Sequence, residues 1–385
     1  MAAKKKKALE NPFVYEGYES PEYFCDRTEE TEKLLDYLKN GVNITLVSPR
    51  KIGKTGLILH AFHHIRQQNP NAICLYLDIF STKNQNDFVK MLGDAVVADV
   101  MGRQKSLLKK VTERISWLKP TITIDPLTGQ PSFSVGVDYK ESDLTIRNIF
   151  EYLNSSKSEV YVAIDEFQTI ADYPEKGTEA LLRSYIQFIH NVHFIFSGSR
   201  QHLMYEIFGS AKRPFYQSTS MMSLSPLHED IYFDFAQRHF AAHNGELSRE
   251  VFHSVYERFD GWTWYVQSVL NRMFMNSRKA TTPQQATDAI LSILADKKAQ
   301  YESFVMLLSD NQLRLLKAIA REGSVVQPTG NEFLRRNHLP GASSTKAALN
   351  FLLDHELVYR KPEGEYIVYD RFMALWLQRL FGNIN

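Results

Sequence analysis

Asn43-Ile44-Thr45-Leu46-Val47-Ser48-Pro49-Arg50-Lys51-Ile52-Gly53-Lys54-Thr55-Gly56-Leu57-Ile58-Leu59 decides how the rest of the chain is read. The stretch reads as a short apolar strand, a tight polar loop and an apolar helix. Its loop closes on Gly-Lys-Thr, the functional end of a phosphate-binding loop. The first N–H groups of a helix lack partners and the peptide dipole adds partial positive charge, so this turn favours an anion. Gly53 lets the backbone come close to a phosphate, Lys54 is placed to reach the outer phosphates, and Thr55 offers a hydroxyl to Mg²⁺. The pattern G-x-x-x-x-G-K-[ST] has glycine where this chain has Ser48. Serine forms the turn if its backbone stays out of the left-handed region, where a side chain costs about 1–2 kcal/mol.

A second motif lies well downstream. In Val160-Tyr161-Val162-Ala163-Ile164-Asp165-Glu166-Phe167, the apolar residues of a buried strand end in two carboxylates. Mg²⁺ needs a carboxylate near Thr55, and hydrolysis needs another to align or activate water. Asp165 is the candidate for the first role and Glu166 for the second. Two more apolar runs read as buried parallel strands, Ala72 to Asp78 and His193 to Phe196. Asp78, at the end of the first, is either a carboxylate near the metal or an ordinary loop start. After the second come Ser197 and Ser199, candidates for sensing the γ-phosphate or for capping the strand end. Arg200 follows, as a candidate for stabilising transition-state charge.

Composition narrows the classes. The chain has 385 residues, 44% hydrophobic and 23% charged, as expected for a soluble globular protein of two or three domains. A net charge of +1 excludes electrostatic binding of nucleic acid or membrane by the molecule as a whole. Cys25 and Cys74 are too few for a disulfide framework or a zinc site, which points to a reducing, cytoplasmic setting. No apolar run reaches transmembrane length, and no membrane role is expected. Lys4 to Lys7 lack a following apolar segment, so they read as a solvated tail and not as a signal peptide.

Between and beyond the motifs, Thr28 or Asp26 is expected to cap a helix carrying Leu34, Leu35 and Leu38. A basic helix through Lys105, Lys109, Lys110 and Arg114 and a hairpin around a turn at Pro126 to Gln130 read as an insertion. The last sheet strand is expected within Ser223 to Leu227. An all-helical block follows, with Trp262, Trp264 and Tyr265 as packing core. From Ser309, three helices and a hairpin describe a winged helix. Its third helix is expected to expose Ser343, Ser344, Thr345, Lys346 and Asn350, and a closing helix runs from Arg371 to Phe381. This block holds ten Lys/Arg against eight Asp/Glu, a weak footprint for DNA.

In this order the motifs resemble the archaeal-type P-loop ATPases, a family within the AAA-like signal-transduction ATPase group that also occurs in bacteria. The carriers are Phe24-Cys25-Asp26-Arg27-Thr28-Glu29-Glu30, Ser48 to Thr55, Ile164 to Phe167, Phe196 to Ser199, and the tail Tyr369-Asp370-Arg371-Phe372 with Trp376. The resemblance implies an α/β P-loop core with a mostly parallel five-stranded sheet, a helical lid and a C-terminal winged helix. It makes Arg27 and Glu29, with Ser48, Pro49, Arg50, Lys51, Ile52, Gly53, Lys54, Thr55 and Gly56, the candidate nucleotide-binding residues. Lys54, Asp165, Glu166, Ser197 and Arg200 are the candidate catalytic residues, and Thr55 and Asp165 the metal ligands. Five positions depart from the family pattern: Ser48 and Asp26 replace glycines, Thr263 replaces a lid proline, and Gln217-Ser218 replace a Gly-Arg.

The expected organisation is an N-terminal tail at 1–22, an ATPase core at 23–227 with its insertion at about 102–139, a helical lid at 228–308 and a winged helix at 309–385. The expected function is Mg²⁺-dependent ATP hydrolysis acting as a nucleotide-driven switch. A protein partner would meet the insertion or the winged helix, and an oligomer is compatible with the sequence. The alternatives are a nucleotide-gated DNA-binding regulator and a scaffold with little or no ATPase activity.

Overall fold

The computed structural model describes residues 9–103, 120–124, 131–135 and 142–380. The lysine tail, the basic helix, the turn at Pro126 and the end of the closing helix lie outside them. The chain divides into two compact units. One runs from Glu16 to Leu227, and the other joins the residues up to Tyr15 to those from His228 onward.

The first unit is built on a parallel sheet of five strands: β1 (Ile44–Val47), β2 (Ile73–Asp78), β5 (Val160–Asp165), β6 (Val192–Gly198) and β7 (Ser220–Met222), in the order β2-β5-β6-β1-β7. Between β2 and β5 the chain forms an antiparallel pair, β3 (Pro120–Ile124) with β4 (Pro131–Val135). Helices are α1 (Thr28–Lys39), α2 (Lys54–Gln68), α3 (Gln85–Arg103), α4 (Ser142–Asn154), α5 (Thr178–Ile186) and α6 (Gln201–Gly209). Side chains alternate along each strand. Leu75, Leu77, Val162, Ile164, Phe194 and Phe196 enter one core together with residues of α3 to α6. Tyr76, Asp78, Ala163 and Asp165 therefore lie on the opposite face, where α2 delivers Thr55 onto Asp165.

Two local expectations are corrected. The last strand is β7 at Ser220–Met222, parallel to β1, and not within Ser223 to Leu227. The ladder stops because the next backbone groups have other partners: Leu224 N–H bonds Ser48 Oγ and Ser225 C=O accepts from Arg27. Pro226, lacking an N–H, adds no donor. At α1, neither Thr28 nor Asp26 is the N-cap; Arg27 is, in the left-handed conformation (φ 62°). Asp26 (φ 48°) is left-handed as well, which accounts for an aspartate where the family pattern has glycine.

The second unit opens with α7 (Glu229–Ala242), α8 (Arg249–Arg258), α9 (Thr263–Asn276) and α10 (Pro283–Val305). A short parallel pair, β8 (Glu246–Leu247) with β9 (Lys279–Ala280), ties the first of these helices to the end of α9. The first described residues belong here. Phe13 is fully buried against His239, Phe240 and Phe274; the Asn11 side chain donates to the Asn271 carbonyl and the Asn271 side chain donates to the Phe13 carbonyl, which holds the segment down. The winged helix follows as α11 (Asp310–Glu322), α12 (Asn331–Arg336), α13 (Ala342–Asp354) and the hairpin β10 (Val358–Arg360) with β11 (Tyr366–Val368). Thr345, expected on the exposed face of α13, is instead buried and donates to the Pro340 carbonyl, so it closes the turn. The closing helix is α14 (Arg371–Arg379).

Candidate nucleotide site

Loop geometry follows from where the residues tolerate a left turn. Among the described residues of the loop, the left-handed positions are Lys51 (φ 67°) and Gly53 (φ 104°); Ser48 is not one of them. Ser48 is fully buried, and its hydroxyl donates to Val47 C=O (2.6 Å) and accepts from Leu224 N–H (2.6 Å). The side chain that departs from the glycine pattern thus ties the loop to the segment leaving β7. Arg27 makes a second tie. Its buried guanidinium donates to Ile52 C=O (3.1 Å), Ser225 C=O (2.7 Å) and Glu30 (2.7 Å). Lys54 Nζ donates to the Ser48 and Pro49 carbonyls at 2.7 and 2.9 Å, so the ammonium lies within the curl of the loop. Gly56 lets Phe24 pack onto the first turn of α2, since a Cβ there would stand 3.0 Å from its ring. Glu29 is exposed on the first turn of α1.

Opposite the loop, the Asp165 carboxylate holds three donors. Thr55 Oγ1 (2.8 Å) and the Tyr76 hydroxyl (2.7 Å) donate to Oδ2, and the Glu166 backbone N–H (3.0 Å) donates to Oδ1. Glu166 sits at a left-handed position (φ 56°), where the strand turns into a 3₁₀ segment at Phe167–Asp172. Strain of this kind persists only where the surroundings fix it. Here the surroundings include Ser199 Oγ (2.8 Å) and Gln168 Nε2, both donating to Glu166 Oε2. Gln168 runs past Gly198 so closely that a Cβ there would overlap its Oε1 and the Met204 side chain. Arg50 reaches Ser199 Oγ (3.3 Å) and lies 5.1 Å over the Phe80 ring.

The remaining candidates are placed as follows. Ser197 lies opposite Leu46 in the β1–β6 register and is fully buried, with an Oγ that has no hydrogen-bond partner. Arg200 pairs with Asp172 (2.6 Å) at the end of the 3₁₀ segment. Asp78 lies beside Asp165 in the β2–β5 register. Desolvation raises its pKa, reinforced by the charges of Asp165 and Glu166. The structure therefore brings Thr55, Asp165, Glu166 and Ser199 together at the end of the loop, whereas Arg27 supports the loop from beneath. Tyr76 and Gln168 belong to the same network, and the sequence reading did not single them out.

A parallel sheet with a Gly-Lys-Thr loop between β1 and α2, facing an Asp-Glu pair at the end of a nearby strand, is the site of a P-loop nucleoside triphosphatase. The chain belongs to the family described as the ATPase domain predominantly from Archaea, whose pattern matches residues 24–269. A probable winged helix domain matches residues 299–379. Solved structures share the fold at low identity. The Walker-type ATPase of Pyrococcus abyssi is 19% identical with a TM-score of 0.65, over 95% of this chain and 99% of its own. The Aeropyrum pernix ORC2 protein, solved in ADPNP–ADP complexes, is 14% identical with a TM-score of 0.58, over 97% and 96%. The Aeropyrum pernix ORC1 protein, solved in complex with DNA, is 13% identical with a TM-score of 0.54, over 96% of each chain. None of the curated proteins matches the chain. No helix of the described residues is long and apolar enough to cross a membrane.

Proposed function

We propose that the protein binds ATP, hydrolyses it with Mg²⁺ and works as a slow nucleotide-driven switch. The observation that carries this reading is the 2.8 Å bond from the Thr55 hydroxyl to Asp165, which pairs two hard oxygen donors at the end of the phosphate loop. Mg²⁺ takes this donor set, usually keeping several waters. When bound, the ion would neutralise charge on the β- and γ-phosphates. Thr55 and Asp165 would hold it. Lys54 exchanges its loop carbonyls for phosphate oxygens. Glu166 orients the attacking water through Oε1 while Ser199 and Gln168 steady its Oε2. Ser197 or Ser199 senses the γ-phosphate, and Arg200 gives up Asp172 to meet developing charge. The helices from α7 to α10 act as the lid and pass nucleotide state to the winged helix.

The test is Glu166→Gln. Calorimetry should show ATP affinity retained, and phosphate release should fall by on the order of a hundredfold or more. Unchanged turnover would remove Glu166 from the mechanism.

The winged helix serves a protein contact in this reading, because the exposed Ser343, Ser344, Lys346 and Asn350 of α13 include a single basic residue. Duplex binding that weakens steeply with salt and is lost on Lys346→Ala would support a nucleotide-gated DNA regulator instead.

A further inference from the structure

We propose that Tyr76 is a positioning residue for the metal-binding carboxylate: its hydroxyl holds Asp165 in the orientation that accepts Mg²⁺. The inference rests on the ATPase reading and deepens it.

Register and residue size place Tyr76 where it can act. β2 and β5 run parallel, with Tyr76 opposite Ala163 and Asp78 opposite Asp165. All four side chains share one face of the sheet. Ala163 is fully buried and carries only a methyl group, so the phenol meets no bulky neighbour at its own cross-strand position. The ring reaches one pair further along the sheet and places its hydroxyl 2.7 Å from Asp165 Oδ2.

The acceptor count shows what that contact does. A carboxylate offers about four lone-pair directions. In Asp165 three are filled, two on Oδ2 by Thr55 and Tyr76 and one on Oδ1 by the Glu166 N–H. About one direction is then left for a metal ion or its water. Two donors on one oxygen and a backbone donor on the other fix rotation of the carboxylate about its last bond. Without Tyr76, Oδ2 keeps only the Thr55 hydroxyl, the very group that must also serve the ion. Outer partners of metal ligands act in this way, and their loss typically costs about ten- to a hundredfold in metal affinity or activity.

The test is Tyr76→Phe, which keeps the ring. ATP affinity is measured by calorimetry in EDTA and across a Mg²⁺ titration, with wild-type protein alongside. The inference predicts equal affinity for the two proteins in EDTA. In the Mg²⁺ titration, Tyr76→Phe should need about tenfold or more additional Mg²⁺ for half of the metal-dependent gain. Wild-type protein gaining no affinity from Mg²⁺ would overturn the ATPase reading itself. A wild-type gain that Tyr76→Phe reproduces at the same Mg²⁺ concentration would overturn only the role of Tyr76. Weakened binding in EDTA as well would show that Tyr76 acts on the loop or the fold, and would also overturn it.

Discussion

Ser48→Ala deletes a fully buried hydroxyl with two partners and leaves the Leu224 N–H, itself buried, with no side chain to accept it. A buried donor left unpaired costs about 1–3 kcal/mol. Urea unfolding should show the variant less stable by that order, and an unchanged midpoint would contradict the tie. The residue-level reading of the sequence reached Ser48 only as a question about backbone conformation. It identified the position because a glycine was missing, but the purpose of the serine depends on a backbone group 176 residues away. Arg27 shows the same limit. Its place in the motif was legible, whereas its three acceptors at Glu30, Ile52 and Ser225 are set by tertiary structure. Tyr76 was hidden in an apolar run, because a strand sequence does not say which neighbour a tyrosine hydroxyl will meet.

Helix α2 does more than open the phosphate loop. Its His60 accepts from or donates to Tyr18 OH (3.0 Å) and His64 Nε2 (3.1 Å), and stacks on Phe24 at 4.3 Å. Burial, with the neighbouring His64 and His63, lowers the His60 pKa from an ordinary 6.5 to about 4. Between those values the unfolded chain binds the proton and the folded one does not, so stability falls as pH drops from about 6.5 towards about 4. Replacing His60 by glutamine should flatten that part of the stability–pH profile relative to wild type; parallel profiles would contradict the assignment. At this scale the sequence was informative for strands and helices with strong periodicity, and it located β1, β2, β5 and β6 from their apolar runs. It misplaced β7 because Ser223 to Leu227 looks as strand-like as Ser220–Met222, and the choice is made by Ser48 and Arg27 capturing the later backbone groups.

In the whole molecule, the tail motif is where the winged helix and the helices before it become one body. Asp370 caps α14 by accepting from the Phe372 and Met373 N–H groups, and it also accepts from Tyr301 OH. Arg371 pairs with Asp260 (3.0 Å), and Phe372 packs against Phe259, Trp264 and Tyr265. Asp370→Ala should cost about 0.5–2 kcal/mol through the lost cap. Thermal melting would read this as a lower midpoint, and an unchanged one would contradict the role given to the cap. The succession of parallel sheet, helices and winged helix along the chain was legible from motif order and periodicity. The return of the first described residues to the second unit was not, since Phe13 is one aromatic in an irregular segment and its pocket is formed by α7 and α9.

The central claim, that Lys54 and the Thr55–Asp165–Glu166 group form a working ATPase site, is tested most directly by phosphate release from Mg²⁺-ATP. Wild-type protein and Lys54→Ala would be assayed side by side. The account predicts slow steady turnover in the first and none above background in the second. No turnover in either protein, with ATP binding still seen by calorimetry, would contradict it and leave a nucleotide-binding scaffold.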